Sequence, residues 1–123
     1  MKLNNEAADF YLSILNIISS KVSGKFGYAV ARNIRALKDS LSEYTDIKNK
    51  LITEYGEQSN NSIELRVDSP NFKKYQEEIK EYNVIEHDVD IMQIEPEEVY
   101  KSSLTADVIS NIMFMIKEVN DNG

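Results

Sequence analysis

The chain has 123 residues, 41% hydrophobic, 28% charged and 9% aromatic; this excludes collagen-like, mucin-like and globally disordered classes and fits one domain, since a second would have too little core. It contains no cysteine, which excludes disulfides, thiolate nucleophiles, iron–sulfur clusters and zinc sites built on sulfur, and favours a reducing cytoplasm. The net charge of -7 is unevenly spread: residues 1–55 carry eight Lys/Arg against six Asp/Glu, residues 56–123 six against fifteen, so the second half repels phosphate and nucleic acid is a disfavoured partner.

The first predicted helix covers Glu6–Val22, where Ala7, Tyr11, Ile14 and Ile18 recur at three and four residues, flanked by Phe10, Leu15, Ile17 and Val22. Asn4 or Asn5 caps it, and Glu6 and Asp9 complement the positive end of its dipole. It ends near Ser23–Gly24, with Gly24 as a left-handed cap and Gly27 permitting a short turn. A second helix then runs from Tyr28 to Tyr55, because Val30, Ile34, Leu37, Leu41, Tyr44, Ile47, Leu51 and Tyr55 form a heptad-like stripe. At 1.5 Å per residue it would be roughly 40 Å long, more than the first helix can cover. Part of the stripe therefore needs another partner, and Leu37, Leu41, Tyr44 and Leu51 are the candidate helix-pairing or oligomer surface. The short glycine-bearing turn predicts an antiparallel hairpin over residues 1–56.

Residues 57–100 predict a strand-helix-strand unit. Ile63–Val67 alternates with period two, Ser69–Pro70 opens a short helix with Phe72, Tyr75, Ile79 and Tyr82 on one face, and Asp88–Ile94 alternates again until Pro96. Two strands alone are marginal in water, so the unit must pack on a helix or join another sheet edge. In residues 101–119 Thr105 is placed to cap, with Leu104 and Ile109 as a hydrophobic staple. Val108, Ile109, Ile112, Met113, Met115, Ile116 and Val119 then read as a C-terminal core helix, before a fraying tail at residues 120–123. The fold class is thus α+β, mainly helical, in a single domain over residues 1–123. No apolar run approaches the roughly twenty residues of a membrane span, and the start Met1–Asn5 lacks a signal-peptide pattern, so no membrane association is expected.

His87 is the only histidine, which excludes a catalytic dyad of histidines or a multi-histidine metal site within one chain. With Glu86, Asp88, Asp90 and Glu95 it could ligate a divalent cation, but in a strand Asp88 and Asp90 share one face and His87 and Val89 the other, so the ligands diverge. There is no calcium loop, Walker loop, dinucleotide fingerprint or nucleophile elbow. The expectation is no catalytic residue, no cofactor and no metal. Between Glu77 and Glu98 nine carboxylates face only Lys80, and Glu86, Asp88 and Asp90 are the candidate acidic recognition surface; a solvated, solubilising face is the plainer account. Lys21, Lys25, Arg32, Arg35 and Lys38 make a modest basic patch only on an unbroken helix, which Gly24 and Gly27 oppose. The tyrosines, phenylalanines and the residues Met92, Met113 and Met115 are read as packing rather than as a stacking platform or an adaptable groove.

The wording Gly27-Tyr28-Ala29-Val30-Ala31-Arg32-Asn33-Ile34, running on to Leu51-Ile52-Thr53-Glu54-Tyr55-Gly56-Glu57, resembles a family of small uncharacterised phage and prophage proteins of Gram-positive bacteria. Phe72–Ile94 is similar to that family's short helix and acidic strand, and Leu104–Asp107 with Met115–Ile116 to its closing helix. The resemblance implies a phage-encoded protein in the cytoplasm of an infected or lysogenic bacterium, and carries over no catalytic residue. Two functional expectations result. The first is a non-catalytic interaction module that binds a partner protein or a second copy of itself through the long hairpin. The alternative is an inhibitor of a host nucleic-acid-binding or defence enzyme, whose acidic surface imitates phosphate.

Overall fold

Asn4 opens the first helix by accepting the Ala7 N–H on its side-chain oxygen at 2.8 Å, which supplies one of the orphan donors every helix start leaves. In the computed structural model, which describes residues 1–118, a short strand β1 (Lys2–Asn4) leads directly into α1 (Asn5–Ile18). The helix stops at Ile18 rather than Val22. After a five-residue connection α2 (Gly24–Ser40) folds back onto it. Gly24 has φ +64, the left-handed region glycine tolerates, but it opens α2 instead of capping α1, and Gly27 lies inside α2 rather than in a turn.

The long second helix is interrupted. At Leu41, with φ -94 and ψ 2, α2 gives way to α3 (Ser42–Tyr55). The Ser40 hydroxyl donates back to the Leu37 carbonyl at 3.1 Å, the kind of side-chain competition that bends a helical ladder. The heptad stripe nevertheless faces inward throughout: Val30, Leu37, Leu41, Tyr44 and Leu51 are buried, and Ile34, Ile47 and Tyr55 are partly buried against them. The partner that α1 cannot supply for α3 is α4 (Pro70–Asn83), whose Tyr75 and Ile79 are buried and whose Phe72 and Tyr82 pack beside them. Ser69 caps α4 through the Asn71 N–H, and Pro70 takes the first turn, where its missing donor costs nothing.

The strand-helix-strand unit does not form, because the strands flanking α4 belong to separate antiparallel sheets. β2 (Glu57–Ser59) pairs with β3 (Ser62–Glu64) as a hairpin, closed by Asn60 (φ 47) and Asn61 (φ 70); positive φ at both central residues is what a two-residue hairpin of the strands' own twist demands. The second predicted strand narrows to β4 (Glu86–Asp88), which pairs with β1 in the register Lys2↔Asp88, Leu3↔His87 and Asn4↔Glu86. Met1 and Val89 extend this pairing with two further backbone hydrogen bonds of 2.9 and 2.8 Å.

The C-terminal segment is not a central core helix. After α5 (Pro96–Tyr100) the chain forms only α6 (Ala106–Asn111), capped by Thr105, and a 3₁₀ turn at Met113–Met115. Ile94 explains the early stop: its N–H donates to the Met115 carbonyl and its own carbonyl accepts from the Lys117 N–H, both at 2.9 Å, so these backbone groups are drawn into an extended bridge instead of a helix. Ile112 and Met115 are fully buried there, whereas Met113 is exposed. Val119 and the tail at residues 120–123 lie outside the described residues. With 62% helix and 12% strand, the protein is α+β and mainly helical.

Candidate functional site

Leu37, Leu41, Tyr44 and Leu51 do pair helices, but inside the chain. They retain 0, 1, 6 and 8% of their surface, so they offer no face to a second copy. Their burial against α1 and α4 is the correction to an expectation drawn from the length of the stripe alone.

The acidic residues divide. Glu86 and Asp88 alternate with His87 along β4 and are exposed, with Lys2 opposite Asp88 in the strand register. Asp90 pairs with Arg32 at 3.4 Å. Glu95 pairs with Lys117 at 2.6 Å, Glu98 lies 3.9 Å from Lys101, and Glu78 accepts a short hydrogen bond from the Tyr55 hydroxyl. The nine carboxylates are therefore distributed over α4, β4, α5 and the loop between β4 and α5, with four of them, Glu78, Asp90, Glu95 and Glu98, beside a cation or a hydrogen-bond donor. His87 sits opposite Leu3, and among the described residues no three His, Asp or Glu side chains gather as a metal site. Of the basic residues, Arg32 is turned toward Asp90, and it lines a shallow hollow together with Arg35, Asp39 and Tyr28, a mixture of charges rather than a phosphate cradle.

A cleft of about 570 Å³ lies where α1, α3 and α4 meet, lined by Asp9, Tyr44, Lys48, Phe72, Tyr75, Ile79, Lys80 and Asn83 among others. The Tyr44 hydroxyl donates to the Asn83 side-chain oxygen at 2.6 Å, and Lys48 Nζ donates to Asp9 Oδ2 at 3.2 Å while lying 5.7 Å from the centre of the Tyr44 ring. Burial pushes the Tyr44 phenol above its ordinary value, partly opposed by the Lys48 charge and reinforced by Asp9. For Lys48, burial works against the charged form, but the Asp9 charge and hydrogen bond outweigh it, leaving the ammonium above its ordinary value. Both groups thus hold their protons more firmly than in water, the opposite of what a neutral-pH general base needs. The arrangement ties three helices together.

Among the exposed apolar side chains, two share one face of α1. Ala8, Leu15 and Ile18 are buried, as an amphipathic helix requires, but Phe10 and Ile17 are 50% and 58% exposed on the opposite side. Phe10 is 6.0 Å from Tyr11, centre to centre, and Tyr11 stacks on Phe114 at 4.0 Å and 15°. An aromatic row therefore runs from the outer face of α1 to the C-terminal segment. The sequence pattern placed Phe10 and Ile17 on the flank of the buried stripe; their separation of seven residues, offset from Ala8, Leu15 and Ile18, is the signal that assigns them a face of their own.

No helix among the described residues is long and apolar enough to cross a membrane. Comparison with protein-family models, with curated proteins and with solved structures finds no match to the chain.

Proposed function

We propose that this protein is a non-catalytic interaction module that binds another protein chain through the outer face of α1. The observation that carries the reading is the exposure of Phe10 and Ile17 on one side of a helix whose buried side is already complete; large apolar side chains aligned in water are favoured where a partner covers them. The non-catalytic reading is supported by Tyr44 and Lys48 in the α1–α3–α4 cleft, both of which hold their protons above their ordinary values and so suit a brace. The resemblance at Gly27–Ile34 and Leu51–Glu57 supports a phage-encoded protein at work in the cytoplasm of an infected or lysogenic bacterium. The phosphate-imitating reading has less support, since Asp90 faces Arg32 and Asp88 faces Lys2.

The test is affinity recovery from that bacterium with the wild-type chain and a Phe10→Glu/Ile17→Glu variant as baits, followed by reconstitution with the purified partner, a second copy of this chain included. The expected outcome is a protein retained by the wild type and lost by the variant. Identical profiles would remove the α1 face from consideration.

A further inference from the structure

The pairing of β1 with β4 fixes which way each backbone group of β4 points. In an antiparallel ladder, pairs that exchange both hydrogen bonds alternate with pairs that exchange none. Met1 and Val89 exchange both, and the Asn5 N–H donates to the Ile85 carbonyl at 3.0 Å, so the bonded positions on this side are Ile85, His87 and Val89. Glu86 and Asp88, opposite Asn4 and Lys2, turn their N–H and C=O groups away from β1. The sheet has two strands, so these four groups have no strand partner among the described residues, and such a row is a template for another chain. β1 has no comparable outer edge, because Asn4, two residues after Lys2, already caps α1. The two faces of the β4 edge differ. Glu86 and Asp88 are exposed on one face, and neither lies within ion-pair distance of a base among the described residues. On the other, period two places Ile85, 45% exposed, with the half-buried His87 and the buried Leu3 and Val89.

A strand edge of this kind accepts an extended segment, whose backbone supplies affinity and whose alternate side chains supply specificity. The two carboxylates decide which segment. A second copy approaching antiparallel, β4 to β4, would set acid against acid in every register that uses these groups, and like charges directly opposite destabilise a ladder. A foreign strand with Lys or Arg in those two places gains from the same carboxylates. The residue between its two bases falls on the face of Ile85 and His87, where an apolar side chain is sheltered from water. We infer that the outer edge of β4 takes up an extended segment of another protein as a third, antiparallel strand, with the pattern base–apolar–base: the bases opposite Asp88 and Glu86, the apolar residue opposite His87. This surface is separate from the outer face of α1, since neither Phe10 nor Ile17 contributes to it.

The probe is the end-capped peptide Thr-Val-Lys-Val-Lys-Val-Thr, titrated at low salt into the isotope-labelled full chain and followed by its backbone amide spectrum. In the free chain the Leu3, His87 and Val89 amides are expected to resist hydrogen exchange and those of Glu86 and Asp88 to exchange freely. On binding, the Glu86 and Asp88 amides shift most and become protected. Methylating the backbone nitrogen of both lysines abolishes binding, because those N–H groups face β4, whereas methylating the central valine nitrogen, which points away, leaves it. Glu86→Gln/Asp88→Asn weakens binding about tenfold, and a peptide with Glu in place of Lys does not bind. Phe10→Glu/Ile17→Glu binds the peptide as the wild type does. A lysine-methylated peptide that binds as well as its parent reduces the effect to loose ionic attraction and overturns the added strand. An acidic peptide that binds equally overturns the basic partner, and protection of Glu86 and Asp88 that rises with chain concentration alone replaces that partner with a second copy. Unchanged Glu86 and Asp88 amides up to millimolar peptide, or binding lost in Phe10→Glu/Ile17→Glu, overturn the β4 edge as the site. Any of these failures leaves the α1 reading to its own test.

Discussion

Asn33 is wholly buried in α2 and behaves as a piece of backbone. Its Nδ2 donates to the Met92 carbonyl at 3.0 Å and its Oδ1 accepts the Met92 N–H at 2.7 Å, supplying to the loop after β4 the two bonds that a neighbouring strand would give. Removing the amide leaves both Met92 groups unpaired at a partly buried position. Asn33→Ala is therefore expected to cost about 2–4 kcal/mol in urea unfolding, and Asn33→Leu a similar amount despite its matching volume, because the loss is of hydrogen bonds rather than of packing. Asn5 offers a contrast: its Nδ2 donates to the Tyr82 carbonyl at 2.8 Å, but its buried Oδ1 has no partner, so less is lost when it is truncated. Neither asparagine was legible in the sequence, since a polar residue within an apolar stripe has no periodic signature and its partner lies 59 or 77 positions away.

At the scale of elements, Gly56 governs how α3 hands over to the β2–β3 hairpin. Its φ of -79 is open to any residue, but a Cβ there would lie 2.5 Å from the Ile52 carbonyl oxygen and 2.7 Å from Ile63 Cγ2. Gly56→Ala must push the hairpin away from the helix end, and is expected to cost about 1–3 kcal/mol in thermal unfolding. The helices themselves were legible. The Val30–Tyr55 stripe, the Phe72–Tyr82 stripe and the Ser69–Pro70 start each express a local spacing or a local cap, and each is present. Strand partners were not legible, because a three-residue strand such as Glu86–Asp88 carries too little alternation to specify its register, and what selects β1 as its neighbour is the docking of Asn5 against the end of α4. The apolar run after Thr105 misled for a related reason: it is long enough for a helix, but Ile94 takes its backbone groups. Of the candidate site, Phe10 and Ile17 were visible as residues and not as a surface, since exposure depends on what the rest of the chain has already covered.

For the whole molecule, the Tyr44–Lys48–Asp9 brace predicts where stability depends on pH. Tyr44 and Lys48 are both raised above their ordinary values of 10.0 and 10.5, so the folded chain binds protons more tightly than the unfolded one at high pH. Their contribution is complete below the unfolded values and is lost as pH rises through the folded ones. Tyr55, pushed up to about 12 by its hydrogen bond to Glu78, acts in the same direction. The melting temperature is expected to be level between about pH 7 and 9 and to fall above about pH 10, and Tyr44→Phe, lacking the phenolic proton, should show a shallower alkaline decline. The β1–β4 pairing has a consequence in time. Met1 and Val89 are 88 positions apart, so at roughly 5–20 residues per second a ribosome needs on the order of 4–18 s to deliver the far edge of that sheet. Through that interval α2, α3 and α4 are made before β4 is, so the Lys2–Asn4 edge stays open until four helices exist to close around it.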